Sequence, residues 1–204
     1  MNTEKRLHAD MKKCRWLVFL LSLILILGLL PISAYAEEEL FDPYYCRSAL
    51  ATLSNSAALL YAYDQIVAGV EASLGEIKVY NDTDPITADE VRMVIDAYRR
   101  DHTEHFWFGN QYTMSYNATS VLRVVPTYVM EGEALVQARL LFDAALERML
   151  SGITDVTSEF ERELILHDRL AGAVTYVDSD NAHNAYGALV EGKAVCEGYA
   201  EALQ

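Results

Sequence analysis

Between Tyr44 and Leu74 apolar residues recur every three or four positions, through Leu50, Leu53, Ala57, Leu60, Tyr61, Tyr63, Val67 and Val70. That period predicts one long helix or two short ones, stopped near Gly75. Glu76 to Tyr80 alternates as a short strand does, and Asn81-Asp82-Thr83-Asp84-Pro85 is turn chemistry throughout. Thr87 and Glu90 are spaced as a capping box, so a helix is predicted through Arg100 with Val91, Val94, Ile95 and Tyr98 facing inward. The period then falls to two. Phe106-Trp107-Phe108, Tyr112 to Tyr116 and Val121 to Val125 read as three strands of a small antiparallel sheet, with a hairpin turn at Asn117-Ala118-Thr119-Ser120. Asn81 and Asn117 each open an N-x-T sequon, which turn usage explains in both cases.

Helical spacing returns from Glu131 to Ser151, with Leu135, Ala138, Leu141, Phe142, Ala145 and Met149 in one stripe and Gly152 past the end. Ser158 and Glu161 open a further helix, whose predicted core stripe is Phe160, Leu164, His167, Ala171 and Val174. After the polar loop Asp178-Ser179-Asp180-Asn181, a short helix covers Ala185 to Glu191 and a last one begins near Cys196. The predicted class is α+β: a helix-rich N-terminal region with a small antiparallel sheet (residues 37–155), then a mainly helical C-terminal part (residues 156–204). The last helix has only about nine residues and no cap, too short to stand alone, so the chain is expected to be a fragment that continues past Gln204.

The first 36 residues have another logic. Lys5, Arg6, Lys12, Lys13 and Arg15 precede the uncharged run Trp16 to Leu30, which is followed by Pro31 and the small-x-small site Ala34-Tyr35-Ala36. This is the pattern of a signal peptide cleaved after Ala36, with an uncleaved anchor as the competing reading. Either way the remainder is expected to be secreted or held at the cell surface. Cys14 precedes the apolar run, so it does not look like a lipid-modified cysteine.

Composition narrows the classes further. With 52% hydrophobic and 10% aromatic residues the chain is not a disordered tail, and three cysteines do not make a disulfide scaffold. There are 16 basic and 30 acidic residues, and the first 36 positions hold five and two of them. The exported part thus keeps 11 basic and 28 acidic residues, a formal charge of −17. Such a surface repels phosphate backbones and anionic headgroups, which argues against nucleic acid and against membrane contact beyond the signal or anchor segment. Acid excess also serves solubility alone.

Cys46, at the start of an apolar-periodic segment, reads as a small buried hydrophobe. Cys196 differs, because it lies at a predicted helix start between Gly192 and Gly198, where backbone N–H groups stabilise a thiolate and small neighbours admit a substrate. Position alone leaves two readings open, a nucleophile or a buried structural thiol.

The stretch Glu161 to Leu170, then Val174-Thr175-Tyr176, Tyr186-Gly187-Ala188-Leu189-Val190 and Gly192-Lys193-Ala194-Val195-Cys196-Glu197-Gly198-Tyr199-Ala200, resembles the opening of bacterial transglutaminase-like domains of the papain-like superfamily. The resemblance implies the helical front half of that core, with Cys196 as the nucleophile. Its sulfur would attack a carboxamide or peptide carbonyl, expel the amine, and leave a thioester that an amine or water resolves. The family supplies the histidine and the orienting acid or amide after the cysteine, and no matching positions exist here, so the chain as written is expected to be inert. No oxyanion donor can be assigned beyond the backbone N–H of Cys196. The implied partner is a protein or peptide substrate, with no cofactor.

Among other candidates, Gly198, Tyr199 and Tyr186 could line a cleft near the thiol, although packing explains such aromatics as well. His183 is a weak substitute base by position, and His167 reads as a histidine of the core or one that supports a neighbouring group, which the adjacent Asp168 cannot orient as a triad would. His102 and His105 flank Glu104, but nothing at ligand spacing completes a site, so no metal is expected. Two alternatives stand beside the acyl-transfer enzyme: a non-catalytic cell-surface or secreted interaction module with the same fold, and a cysteine protease of the same superfamily.

Overall fold

The computed structural model describes residues 42–153 and 158–204. The signal or anchor segment and the boundary near Asp155 lie outside the described residues. Asp42 to Gln204 form one compact α+β unit. Its elements are α1 (Tyr45–Leu50), α2 (Ser56–Glu71), β1 (Ile77–Lys78), α3 (Ala88–Asp101), β2 (Phe108–Tyr116), β3 (Val121–Tyr128), α4 (Gly132–Leu150), α5 (Glu159–Ala173), β4 (Thr175–Tyr176), a π-helical turn (Gly187–Glu191), β5 (Lys193–Ala194) and α6 (Cys196–Leu203). Among the described helices none is long and apolar enough to cross a membrane.

The Tyr44–Leu74 segment resolves into two helices, and the break resets the helical phase. Asn55 donates through its amide to Pro85 O and Glu90 Oε1, pinning the start of α2 to the turn before α3. From there the inward face is Ala58, Leu59, Ala62, Tyr63, Ile66 and Val70. Leu53 and Ala57, expected inside, are exposed. The capping box at α3 is complete in both directions, Thr87 Oγ1 to the Glu90 N–H and the Glu90 carboxylate to the Thr87 N–H, and the predicted Val91, Val94, Ile95 and Tyr98 are buried.

The sheet has three strands in the order β1-β3-β2, all pairs antiparallel. Its third strand is Ile77–Lys78, whereas Phe106 and Trp107 belong to the turn before β2 and not to a strand of their own. The register breaks between Phe108 and Tyr112, where Gly109 passes so near β3 that a Cβ would stand 2.4 Å from Thr127 O. At the hairpin, Asn117 Oδ1 accepts from the N–H groups of Thr119 and Ser120 at 2.9 and 2.7 Å, the turn chemistry expected of that sequence. Trp107, Tyr63 and Tyr98 are the largest fully buried side chains. The Trp107 indole donates to Val70 O at 3.2 Å, which satisfies the one polar atom of a large apolar ring.

Ala185 and Tyr186 join this main core, Tyr186 facing Phe106 at 4.8 Å, and Phe142 of α4 meets Phe106 at 5.1 Å. A second cluster holds Leu170, Val174, Ala188 and Ala194, with Tyr199 and Ala202 against it. The expected α5 stripe holds only at its end, in Val174. Phe160 is 71% exposed, Leu164 and His167 are also outside, and Leu170 and Val174 carry the packing. In α4, Leu135, Ala138, Phe142 and Ala145 turn inward while Leu141 stays out. Arg169 ties the two helices by donating to Met149 O and Ser151 O, closing carbonyls at the end of α4.

Candidate functional site

Cys196 is the first residue of α6, free and exposed, and the preceding Val195 is in extended backbone. Its position is set almost wholly by main-chain contacts. β4 and β5 pair in parallel, Thr175 with Lys193 and Tyr176 with Ala194, and the Thr175 N–H donates to Gly192 O at 2.8 Å. Gly192 has φ of 64°, the left-handed conformation that lets the chain leave the π-helical turn and enter β5. The Val195 N–H donates to Ala182 O at 2.9 Å, so the residue before the thiol is fastened to the loop that carries His183.

The small residues around Cys196 serve packing. A Cβ on Gly198 would stand 2.4 Å from Ala182 O and 3.0 Å from Asn184 O, and one on Gly187 would stand 2.0 Å from Asn181 O. These glycines let α6 and the π-helical turn close on the 181–184 loop. Tyr199 is half-buried, its hydroxyl donating to Val174 O at 2.8 Å and its ring stacked on Tyr176. Tyr186 is 8% exposed within the main core. Gly198, Tyr199 and Tyr186, offered by the sequence as cleft-lining, are here engaged in close backbone approach, a hydroxyl-to-carbonyl hydrogen bond and core packing.

His183, the weak substitute base by position, faces a carboxylate on each side. Its Nδ1 lies 3.1 Å from Glu197 Oε2 and its Nε2 3.3 Å from Asp178 Oδ1. With both ring nitrogens facing carboxylates, neither is directed at the thiol. Among the described residues no histidine is hydrogen-bonded to Cys196. His167 sits on the α5 surface beside Asp168, 3.2 Å from it, and is not a core histidine. Cys46 is half-buried beside Asp101, and its thiol is pushed up by burial and by the Asp101 charge.

A cleft of about 110 Å³ is lined on one side by Asp180, His183 and Asn184. Arg99, His102 and His105 from the α3–β2 corner face His183, Asn184 and Glu201 across it, and Cys196 is not among its lining residues. Glu201 is pushed up to about 7, first by burial and then by the neighbouring Glu197 charge, with the Ala185 backbone and Arg99 opposing. At the inner wall, His102 Nδ1 lies 2.8 Å from Glu104 Oε1, His105 Nε2 lies 3.0 Å from Glu71 Oε2 and 3.9 Å from Glu104 Oε1, and the two imidazoles stack at 5.0 Å. Both rings are buried. Burial holds His105 below the usual imidazole range against the opposing pull of Glu104. One neutral tautomer satisfies both of its nitrogens, with Nε2–H donating to Glu71 and Nδ1 accepting from the Tyr98 hydroxyl at 2.8 Å.

Sequence reasoning found the two histidines and Glu104 but missed Glu71, which the end of α2 brings in from far upstream. Arg139 holds its other oxygen, Oε1, at 3.0 Å and lies over the Trp107 ring. Periodicity carries no signal for that meeting. Comparison with known protein families and with curated proteins finds no match to this chain.

Proposed function

We propose that the chain is part of an exported thiol enzyme in which Cys196 is the nucleophile for acyl transfer or amide hydrolysis on protein or peptide substrates. The observation that carries the reading is an exposed free cysteine at the first position of α6, held by backbone hydrogen bonds and close-packed glycines and not by burial of its own side chain. Exposure admits an acyl substrate to the sulfur. The resemblance of residues 161–200 to transglutaminase-like domains supports the same assignment. His183 lies between the Glu197 and Asp178 carboxylates, so the proposal assigns it no part as general base.

The test is incorporation of a fluorescent primary amine into a glutamine-containing protein, with peptide hydrolysis followed in parallel. The product of the native locus is expected to give one of the two, abolished by Cys196→Ala. Activity indifferent to that substitution would refute the assignment. The engagement of His183 by two carboxylates favours one competing reading, an exported interaction module that keeps the fold without the chemistry; a native-locus product silent in both assays supports it.

A further inference from the structure

Two imidazoles and two carboxylates meet at the α3–β2 corner. His102 caps α3, Glu104 and His105 follow in the turn to Trp107, and Glu71 ends α2. Their contacts run from 2.8 to 3.9 Å, and the ligand atoms of His102, Glu104 and His105 all lie within 4.8 Å of one another. A tetrahedral ion with bonds of about 2.0–2.1 Å spaces its ligands about 3.3 Å apart. The spacings within His102, Glu104 and His105, 2.8 and 3.9 Å, straddle that value, and Glu71 adjoins the group through His105 at 3.0 Å.

We propose that Glu71, His102, Glu104 and His105 bind a first-row divalent cation, zinc in particular. Three features support this beyond proximity. The outer groups already orient the ligands: Arg139 takes Glu71 Oε1 and leaves Oε2 to face His105, while the Tyr98 hydroxyl holds His105 Nδ1 so that Nε2 points at the carboxylates. The rings are fixed by their neighbours, His102 against Tyr98 at 5.3 Å and His105 against Trp107 at 4.8 Å. Two neutral imidazoles and two carboxylates also neutralise a dication. On binding, the imidazole proton of His105 moves to Nδ1, and the Tyr98 oxygen accepts it as a hydrogen bond.

The donor set selects among metals. Two nitrogens with two oxygens suit zinc and its transition-metal neighbours, whereas calcium and magnesium prefer all-oxygen shells. The proposal does not depend on Cys196, which lies outside the cleft.

The experiment uses the full chain without a histidine tag, titrated with Co²⁺ as a spectroscopic probe and with Zn²⁺ in competition. Expected are one equivalent of Co²⁺ per chain, the intense visible bands of four-coordinate cobalt, their loss on adding Zn²⁺, and indifference to Ca²⁺. His105 is buried, so its truncation endangers the fold. The half-exposed carboxylates give the decisive variants, and circular dichroism checks that each is folded. Glu104→Gln and Glu71→Gln should each weaken Co²⁺ binding by at least about 10-fold, the loss that even a ligand-orienting partner produces, while His183→Ala and His167→Ala leave it unchanged. A chain that takes up no stoichiometric Co²⁺ or Zn²⁺ at micromolar concentration overturns the proposal. So does wild-type affinity in both carboxylate variants.

Discussion

Gly198 approaches Ala182 so closely that a single added methyl group would sit 2.4 Å from the Ala182 carbonyl oxygen. That oxygen also accepts the Val195 N–H, so one peptide group positions both the residue before the thiol and the second residue after it. Gly198→Ala must move backbone and not merely a side-chain tip. The expected cost is about 1–3 kcal/mol, the range for overpacking a close contact, read as a lower urea midpoint with an unchanged slope.

The two described cysteines should separate in alkylation. Cys196 is exposed, whereas Cys46 is half-buried beside Asp101 with its thiol raised. Peptide-level mass spectrometry after iodoacetamide at pH 7.5 should find Cys196 modified about tenfold faster, since it is the more accessible and the Cys46 thiol is raised. Equal rates would mean that the helix start does not present its first residue as described.

Asp101 joins three elements through one carboxylate. It accepts from the N–H groups of Cys46 and Arg47 at 3.0 and 2.8 Å, at the start of α1, and from the Tyr63 hydroxyl at 2.8 Å. Asp101→Ala strands all three donors and should cost about 2–4 kcal/mol, whereas Tyr63→Phe removes one hydrogen bond and should cost about 1–2 kcal/mol. Urea denaturation of the two variants and the double mutant should show less than the sum, because the partners are shared.

Glu201 makes stability fall with rising pH. Its carboxyl is raised to about 7 in the folded chain, mainly by burial, from an ordinary value of 4.5, so folding favours the protonated form. Its contribution is full below pH 4.5, declines as pH rises to about 7 and is gone above that. The groups facing it across the cleft are Arg99, His102, His105, Asp180 and His183, with Glu197 on its own helix. After allowance for solvent screening the effect is about 1–2 kcal/mol. Comparing thermal unfolding of wild type and Glu201→Gln isolates it: the difference between them should widen between pH 5 and 7.5, with the variant the more stable at the upper end.

Local signals carried much of this fold. The Thr87–Glu90 box, the α3 stripe, the Asn117 turn and the helix starting at Cys196 each depend on residues within a few positions of one another, and each formed as the sequence predicts. What the sequence hid depends on distant partners. The inward face of α2 was set by Asn55 reaching Pro85, and the face of α5 by the second cluster, which chose Leu170 over Phe160. Around Cys196 the glycines and tyrosines of the motif were visible, but whether they line a cleft or fasten a loop depends on Ala182 and Val174, which no spacing reveals. Glu71 is the same case beside His105.

The loop between β4 and β5 is sewn into place by peptide groups: Thr175 to Gly192, Val177 to Ala194, Val195 to Ala182. Several of its side chains, Asp178, Asp180 and His183 among them, face solvent or the cleft while the main chain does the fastening. Exchanging those side chains leaves the fastening intact. The segment is thus open to evolutionary change in what it presents beside a fixed thiol, and its loop chemistry can diverge faster than its scaffold.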